Sequence, residues 1–293
     1  MLGPPLRHAL LLLPTVIFAR PGPALGQLHG DFLRIGARDI NKGEFGFPNH
    51  LTPLKEYQQA LEMDVRIQRQ VDKSGNAELT GYVGRLAEQI QRRSDLKGPL
   101  WLRLTRSQEH LAFSTLAGRA YIDEKLVRIA ENESQLAGAI AHEVAHLAAR
   151  HGAENISRMR LLDANPSGFL TLLRPCLTIG NPFTSGGTDG FWQAVCYFNE
   201  IEADELATQY LWNSGFDPEG LLNLLSVLQD HNWLDAPPGP SQTSSHPPIS
   251  VRQKRIRIQL KKLPGLEAAR LDSSDFQEAR EQTRANGVPL SRK

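Results

Sequence analysis

Two histidines and a glutamate within five positions are the residues of this chain best suited to chemistry. His142, Glu143 and His146 form the pattern His-Glu-x-x-His. Residues four apart on a helix share one face and lie about 6 Å apart along its axis, so both imidazoles can bind one tetrahedral metal ion. The intervening glutamate faces the same cleft, where it can take a proton from activated water. The spacing predicts a catalytic zinc site with Glu143 as general base.

The surrounding residues predict a buried helix. Asn132 is a suitable N-cap, and Gln135 is placed to reach back to it in a capping box. The positions from Leu136 to Ala148 are mostly apolar. Two histidines and a glutamate inside such a helix are costly without a partner, which favours a metal. The alternative is a buried helix whose polar side chains are satisfied by neighbouring residues.

A catalytic zinc site needs a third protein ligand, and the nearest candidates are excluded by their positions. His151 is five residues beyond His146 and points off the shared face, while Glu154 lies too far along the axis. The next glutamate is Glu200, one turn before Asp204 on the same helical face. We predict Glu200 as the third ligand, with Asp204 orienting a ligand histidine through its other ring nitrogen. The alternative is a solvated acidic face.

The helix that carries these carboxylates is expected to be amphipathic and to run to about Ser214. Gly215 follows as its C-cap. On this helix Glu202 points away from the face that Glu200 and Asp204 share. Glu202 is therefore not expected to bind the metal.

Taken together, these motifs resemble those of the M48 gluzincin peptidases. The histidine pattern is followed about fifty residues later by Glu-x-x-x-Asp, at Glu200–Asp204. Residues Leu111–Asp123 resemble the family's active-site edge strand and hairpin. Ser245–Pro248 with Arg252 resemble its Ser-His-Pro-Pro…Arg segment. The resemblance covers residues 55–262, and the motifs come in the family's order.

The resemblance implies a zinc metalloendopeptidase with one zinc ion per chain and a polypeptide substrate. It implies that Ala112, Phe113 and Ser114 bind this substrate as an extended strand. It also places His246 near the metal, where the imidazole either stabilises the oxyanion or closes the site as a fourth ligand. Replacing His246 by alanine lowers activity in the first case and raises it in the second; a surface histidine in a turn is the remaining alternative. Arg252 supports either role or binds a carboxylate.

The predicted fold class is α+β, a mainly helical zincin-like domain with a small antiparallel sheet beside the zinc-binding helix. Residues 55–262 form this domain, between an irregular extension at 27–54 and a polar tail at 263–293 that is helical in part. The insertion at 157–190 is rich in breakers and is placed to cover the cleft. Family analogy suggests misfolded or misassembled envelope proteins as substrates. Two other classes stay open: a zinc hydrolase of non-peptide substrates, and a chaperone-like or autoinhibited module whose metal is closed by His246.

Composition indicates an ordinary globular chain. It has 293 residues, of which 40% are hydrophobic and 22% charged, enough for one core. The net charge of +1 gives no indication of nucleic acid or of an anionic membrane as a partner. The basic run at 252–262 is interleaved with apolar positions, which predicts a helix with a solvated basic face.

The first 26 residues resemble a secretory signal. Arg7 precedes an apolar stretch at Ala9–Phe18, and a segment rich in Pro, Gly and Ala follows. The apolar stretch is too short to span a bilayer, and no later stretch reaches that length. The sequence predicts an exported protein, periplasmic or extracellular; the alternative is a disordered cytosolic N-terminus. In an oxidising compartment Cys176 and Cys196 form a disulfide, and otherwise they are two free thiols.

Overall fold

The structure, a computed structural model, describes residues 32–41, 49, 51–106, 111–161, 189–231, 247–265 and 268–287, with the backbone alone for 158–161 and 189–196. The predicted signal peptide, most of the 157–190 insertion, Cys176 and His246 lie outside these residues. Of Cys196 only the backbone is described, so the disulfide stays a prediction. Among the described residues, no helix has both the length and the apolar character that crossing a bilayer requires.

The described elements alternate between helices and one small sheet. The helices are α1 (Pro53–Gln68), α2 (Ala77–Arg92), α3 (Glu124–Ile129), α4 (Glu133–Ala148), α5 (His151–Leu161), α6 (Asp189–Asn213), α7 (Gly220–Asp230), α8 (Ile249–Leu260) and α9 (Ser274–Ala285). The strands are β1 (Asp72–Lys73), β2 (Trp101–Arg106), β3 (Ala112–Ser114) and β4 (Arg119–Asp123). This content confirms the predicted α+β class with a helical majority.

Helix α4 is the central element and packs against α6, α7, α2 and β3. All 16 of its residues are buried, as its apolar sequence predicts. Its N-cap is Asn132, whose Oδ1 accepts from the N–H of Gln135 at 3.0 Å. Gln135 reaches back as predicted, but its Oε1 accepts from the N–H of Glu131 at 3.0 Å and not from that of Asn132. The helix therefore starts at a well-defined residue and carries its two histidines into the core.

Between residues 199 and 211 helix α6 is buried on all sides, so the prediction of an amphipathic helix is wrong there. Every residue from 199 to 211 is buried. The helix is enclosed because α4, α7 and α8 all pack against it. Its polar side chains therefore need partners inside the protein; Glu205, for example, pairs with Arg255 at 2.6 Å. Gly215 follows the helix with φ +80°, in agreement with its predicted place as C-cap.

The sheet has the order β1-β2-β4-β3 and lies beside α4 as predicted, but it is mixed and not antiparallel throughout. The β1–β2 and β3–β4 pairs are antiparallel, whereas β2 and β4 are parallel, with Trp101 opposite Arg119. The parallel pair arises because β3 packs on the far side of β4, so the hairpin returns β4 in the direction of β2. Among the described strands, β3 is therefore an edge strand next to α4.

The tail predicted for residues 263–293 contains helix α9, which packs against α3 and α2. Its N-cap is Ser273, whose Oγ accepts from the N–H of Phe276 at 3.1 Å. Phe276 and Ala279 are buried in the main apolar core. This part of the tail therefore contributes to the same core as α4.

Candidate metal centre

The two histidines of α4 point to one place. His142 and His146 lie one turn apart on a helix whose neighbours cover it, and both side chains are buried. Their Nε2 atoms are 3.1 Å apart. Two nitrogens this close inside a protein need either a shared proton or a shared cation.

Glu200 of α6 completes a group of three. Its Oε2 lies 3.4 Å from Nε2 of His142, and its Oε1 lies 3.3 Å from Nε2 of His146. Zinc held tetrahedrally at roughly 2.0–2.1 Å sets its donor atoms about 3.3 Å from one another. Each imidazole nitrogen thus lies at about this spacing from an oxygen of Glu200, a different oxygen for each, and the donor set of two imidazoles and a carboxylate suits zinc. In the described part of the chain this is the one group of His, Cys, Asp or Glu with such convergence.

Charge at this position also favours a cation. Burial alone would lower the pKa of His142, but the carboxylates of Asp204 and Glu200 outweigh it and raise that pKa to about 10. When no metal is bound, a proton on His142 therefore supplies the positive charge that these carboxylates favour. Buried carboxylates with no cation among them would be strongly destabilising.

Asp204 lies behind His142, as the sequence predicts, and Arg252 lies behind Asp204. Oδ1 of Asp204 is 3.0 Å from Nδ1 of His142. Arg252 donates to this carboxylate twice, from Nε and from Nη2, each at 2.7 Å. Burial would raise the pKa of Asp204, but the guanidinium outweighs burial and holds that pKa below its usual value. Of the alternatives for Arg252, the structure thus supports carboxylate binding.

Arg252 also lies close to the candidate metal ligand Glu200. Its Nη1 lies 3.6 Å from Oε2 of Glu200. Burial would lower the pKa of Arg252, but the negative charges of Asp204, Glu200 and Glu143 raise it above its ordinary value. Glu143 itself is buried on α4 between the two histidines. The predicted base is thus buried one position after a candidate metal ligand on the same helix, and its charge acts on Arg252.

Strand β3, predicted to bind substrate, lies beside this centre. Ala112 belongs to the core cluster that includes α4, whereas Phe113 stacks on Tyr121 of β4 with ring centroids 4.5 Å apart. The hydroxyl of Tyr121 donates to Asp64 of α1 at 2.6 Å. All three residues of β3, including Ser114, are at most 7% exposed with their backbone included, so pairing with a further strand requires this edge to be uncovered.

Two buried residues near the centre are absent from the sequence-based site. Nδ1 of His151 lies 2.9 Å from Nδ1 of His146, and its Nε2 lies 3.2 Å from Oε2 of Glu202. His151 is not among the three convergent donors, so its exclusion as a ligand agrees with the structure. It nevertheless contacts a ligand histidine from behind, and Glu202 contacts His151.

Helical spacing could not reveal this contact, because α4 does not continue to His151. The helix ends at Ala148, and Arg150 takes a left-handed conformation with φ +53° before α5 begins at His151. A non-glycine residue in this conformation is uncommon and carries no sequence signal. On α6, Glu202 lies off the face of Glu200, but it is buried because that helix is enclosed.

Comparison with known proteins agrees with this geometry. The sequence model of peptidase family M48 matches residues 75–259, well over half of the chain and every residue of the centre described above. The chain is 31% identical over 179 residues to the beta-barrel assembly-enhancing protease of Yersinia pestis, and 30% identical over 177 residues to that of Escherichia coli K12. A putative beta-barrel assembly-enhancing protease of Vibrio cholerae is 27% identical over 199 residues.

These matches cover 58–65% of this chain but only 36–41% of the relatives. The chain thus spans less than half the length of the curated relatives it matches. The family match at residues 75–259 includes the convergent histidines and glutamate. On the strength of the family match and these residues, the chain belongs to peptidase family M48.

Proposed function

We propose that this protein is a zinc-dependent endopeptidase that holds one zinc ion with His142, His146 and Glu200. The observation that supports this most is the convergence of the three side chains: the two Nε2 atoms are 3.1 Å apart, and each lies 3.3 or 3.4 Å from one oxygen of Glu200. A bound zinc ion would supply a Lewis acid that polarises the scissile carbonyl and lowers the pKa of the attacking water. Three protein ligands leave the open position that catalytic zinc needs.

Glu143 is the proposed general base. It takes a proton from the attacking water and then delivers one to the leaving amine. Its position directly after His142 on the buried helix α4 supports this role. The paired charges of Asp204 and Arg252 keep His142 oriented while Glu143 changes its protonation state. Arg252 also balances the buried negative charge to which Glu143 contributes.

The substrate is proposed to be a polypeptide in extended form. The backbone of β3, from Ala112 to Ser114, lies at an edge of the described sheet and next to α4. A peptide paired with this edge would run past the metal ligands with its scissile bond held straight. Because the residues of β3 are at most 7% exposed, such pairing requires this edge to be uncovered when the substrate binds.

The proposed substrates are misfolded or misassembled proteins of the cell envelope, and the proposed location is the periplasm or the exterior. The relatives named above are called beta-barrel assembly-enhancing proteases, which supports an envelope role. The match covers 36% of the length of these relatives. His246 lies outside the described residues. Its two predicted roles, stabilising the oxyanion or closing the site as a fourth ligand, stay predictions.

A Glu143→Gln variant tests the proposal. Loss of the base should lower casein hydrolysis by about 10²–10⁴-fold, while zinc remains bound at one ion per chain. His142→Ala should lose both zinc and activity. Glu133→Gln is the matched control: this glutamate is buried on the same helix but pairs with Tyr82 and Arg270, and its variant should stay active.

Undiminished casein hydrolysis in Glu143→Gln would overturn the assignment. Zinc binding with no hydrolysis of casein or of a strand-forming peptide in the wild type would favour the non-peptide hydrolase or the closed binding module. If the proposal is right, the inactive Glu143→Gln protein should retain its substrates. Isolating it from the native cell envelope and identifying the bound polypeptides would then test the substrate class.

A further inference from the structure

His151 and Glu202 form a buried pair that the proposed reaction does not use directly. Both are 2% exposed, and each belongs to a different helix, α5 and α6. The His151 ring lies edge-on to the His146 ring, with centroids 4.9 Å apart. Burying a histidine and a carboxylate is costly, so the pair needs a role that a buried apolar contact would not serve.

The direction of the hydrogen bonds follows from the ligand role of His146. A metal-binding Nε2 must present its lone pair, so the ring proton of His146 sits on Nδ1. At 2.9 Å, Nδ1 of His151 must then accept that proton. The remaining proton of His151 is therefore on Nε2, where it donates to Oε2 of Glu202 at 3.2 Å. Each step fixes the tautomer of the next ring.

We propose that His151 and Glu202 are positioning residues that hold His146 in the tautomer and orientation required for metal binding. This inference rests on the proposed zinc site. The arrangement is similar to that behind His142, where Asp204 lies next to Nδ1 of the ligand ring and Arg252 in turn donates to Asp204. Partners behind a ligand histidine raise its basicity and restrict its ring, and their loss commonly weakens metal binding about 10–100-fold.

The backbone around His151 holds it in place. Arg150, the preceding residue, donates to the carboxylate of Glu56 and to the carbonyl of Leu51. Gly152, the following residue, lies so close to the hairpin loop that a Cβ there would be 2.5 Å from the carbonyl oxygen of Thr115. His151 is therefore fixed on both sides by contacts outside the metal centre, as a positioning residue should be.

The experiment compares zinc affinity, measured by competition with a chromophoric chelator, in a set of variants. His151→Leu removes both hydrogen bonds and should weaken zinc binding about 10–100-fold. His151→Gln keeps an acceptor and a donor and should recover part of that loss, and Glu202→Gln should show a smaller loss than His151→Leu. Glu205→Gln is the control, because Glu205 is equally buried on α6 but pairs with Arg255; its affinity should match that of the wild type.

The visible spectrum of the cobalt-substituted protein and the melting temperature of the metal-free protein separate positioning from general stability. Positioning predicts an altered cobalt spectrum in His151→Leu even where the fold is intact, with partial return in His151→Gln. Wild-type affinity and spectrum in both His151→Leu and Glu202→Gln would overturn the inference. Unchanged zinc affinity in His142→Ala would instead overturn the proposed zinc site, so the two failures are distinguishable.

Discussion

The two histidines of the centre have the same side chain and lie one turn apart, but different groups stand behind them. Behind His142 is a carboxylate, Asp204, which accepts twice from the guanidinium of Arg252. Behind His146 is a second imidazole, His151, and only then a carboxylate. The His142 side is thus a compact group of charges, whereas on the His146 side a second imidazole separates the ligand from the carboxylate.

Because of this difference, substitutions on the two sides should differ in how far they lower the stability of the fold and how far they weaken metal binding. Full charges inside a protein interact strongly, so removing one leaves its partners uncompensated whether or not metal is present. Neutral imidazoles impose a tautomer and an orientation, and removing one mainly affects the metal. We therefore expect changes behind His142 to affect folding as well as binding, and changes behind His146 to affect binding first.

Removal of Arg252 should give the largest effect. In Arg252→Met, Asp204 and Glu200 keep their buried negative charges without the guanidinium, and the free energy of unfolding of the metal-free protein should fall by about 3–5 kcal/mol. Urea denaturation monitored by circular dichroism measures this. Arg255→Met is the control on the same helix: the Arg255 side chain is 32% exposed, so water can take over part of its interaction with Glu205. Equal losses of unfolding free energy in both variants would show that the charges behind His142 stabilise the fold no more than the ion pair of Arg255 with Glu205 does.

Asp204→Asn should have the second largest effect, which is a loss of zinc affinity. The amide keeps the shape of the carboxylate but not its charge, so Nδ1 of His142 loses its negatively charged partner. Zinc affinity should fall about 10–100-fold, and further than in Glu202→Gln, whose carboxylate acts through an intervening ring. Competition with a chromophoric chelator at pH 7 compares the two. A larger loss in Glu202→Gln would reverse the comparison.

The two sides were not equally predictable from the sequence. Helical spacing relates His142 to His146 within α4 and Glu200 to Asp204 within α6. The two pairs could be joined because a zinc site needs a third ligand and the nearer candidates were excluded by their positions. The N-cap at Asn132 was also predictable, because capping is a local interaction.

The His146 side depends on a chain reversal that spacing does not reveal. Its contact with His151 requires α4 to end at Ala148 and the chain to turn at Arg150. Glu202 could be assigned only once α6 was known to be enclosed, since on an amphipathic helix its face would meet solvent. The parallel pairing of β2 and β4 was missed likewise, because it depends on which side of β4 the hairpin strand packs.

The reversal at Arg150 is supported by a residue outside the segment that matches the family. Glu56 of α1 accepts from Arg150 through one oxygen and from the N–H of Ala117 through the other, the latter at 3.3 Å. Among the described residues, Ala117 and Arg150 are the two non-glycine residues with left-handed φ, at +47° and +53°. Such a conformation costs about 1–2 kcal/mol per residue, so one carboxylate stabilises both unfavourable turns.

Glu56→Gln should therefore lower the stability of the fold slightly and also weaken zinc binding slightly, because Arg150 precedes His151. Because the Arg150 side chain is a quarter exposed, the loss in unfolding free energy should be about 1 kcal/mol, by urea denaturation of the metal-free protein. Zinc affinity should fall by less than about tenfold, since only part of that energy acts on His151 and through it on His146. Arg150→Gly and Arg150→Ala form a matched pair: both remove the guanidinium, but glycine tolerates φ +53° and should be the more stable variant. If alanine were equally stable, the turn would not be strained, and Glu56 would act as an ordinary ion-pair partner of Arg150 and not as a support of the metal centre.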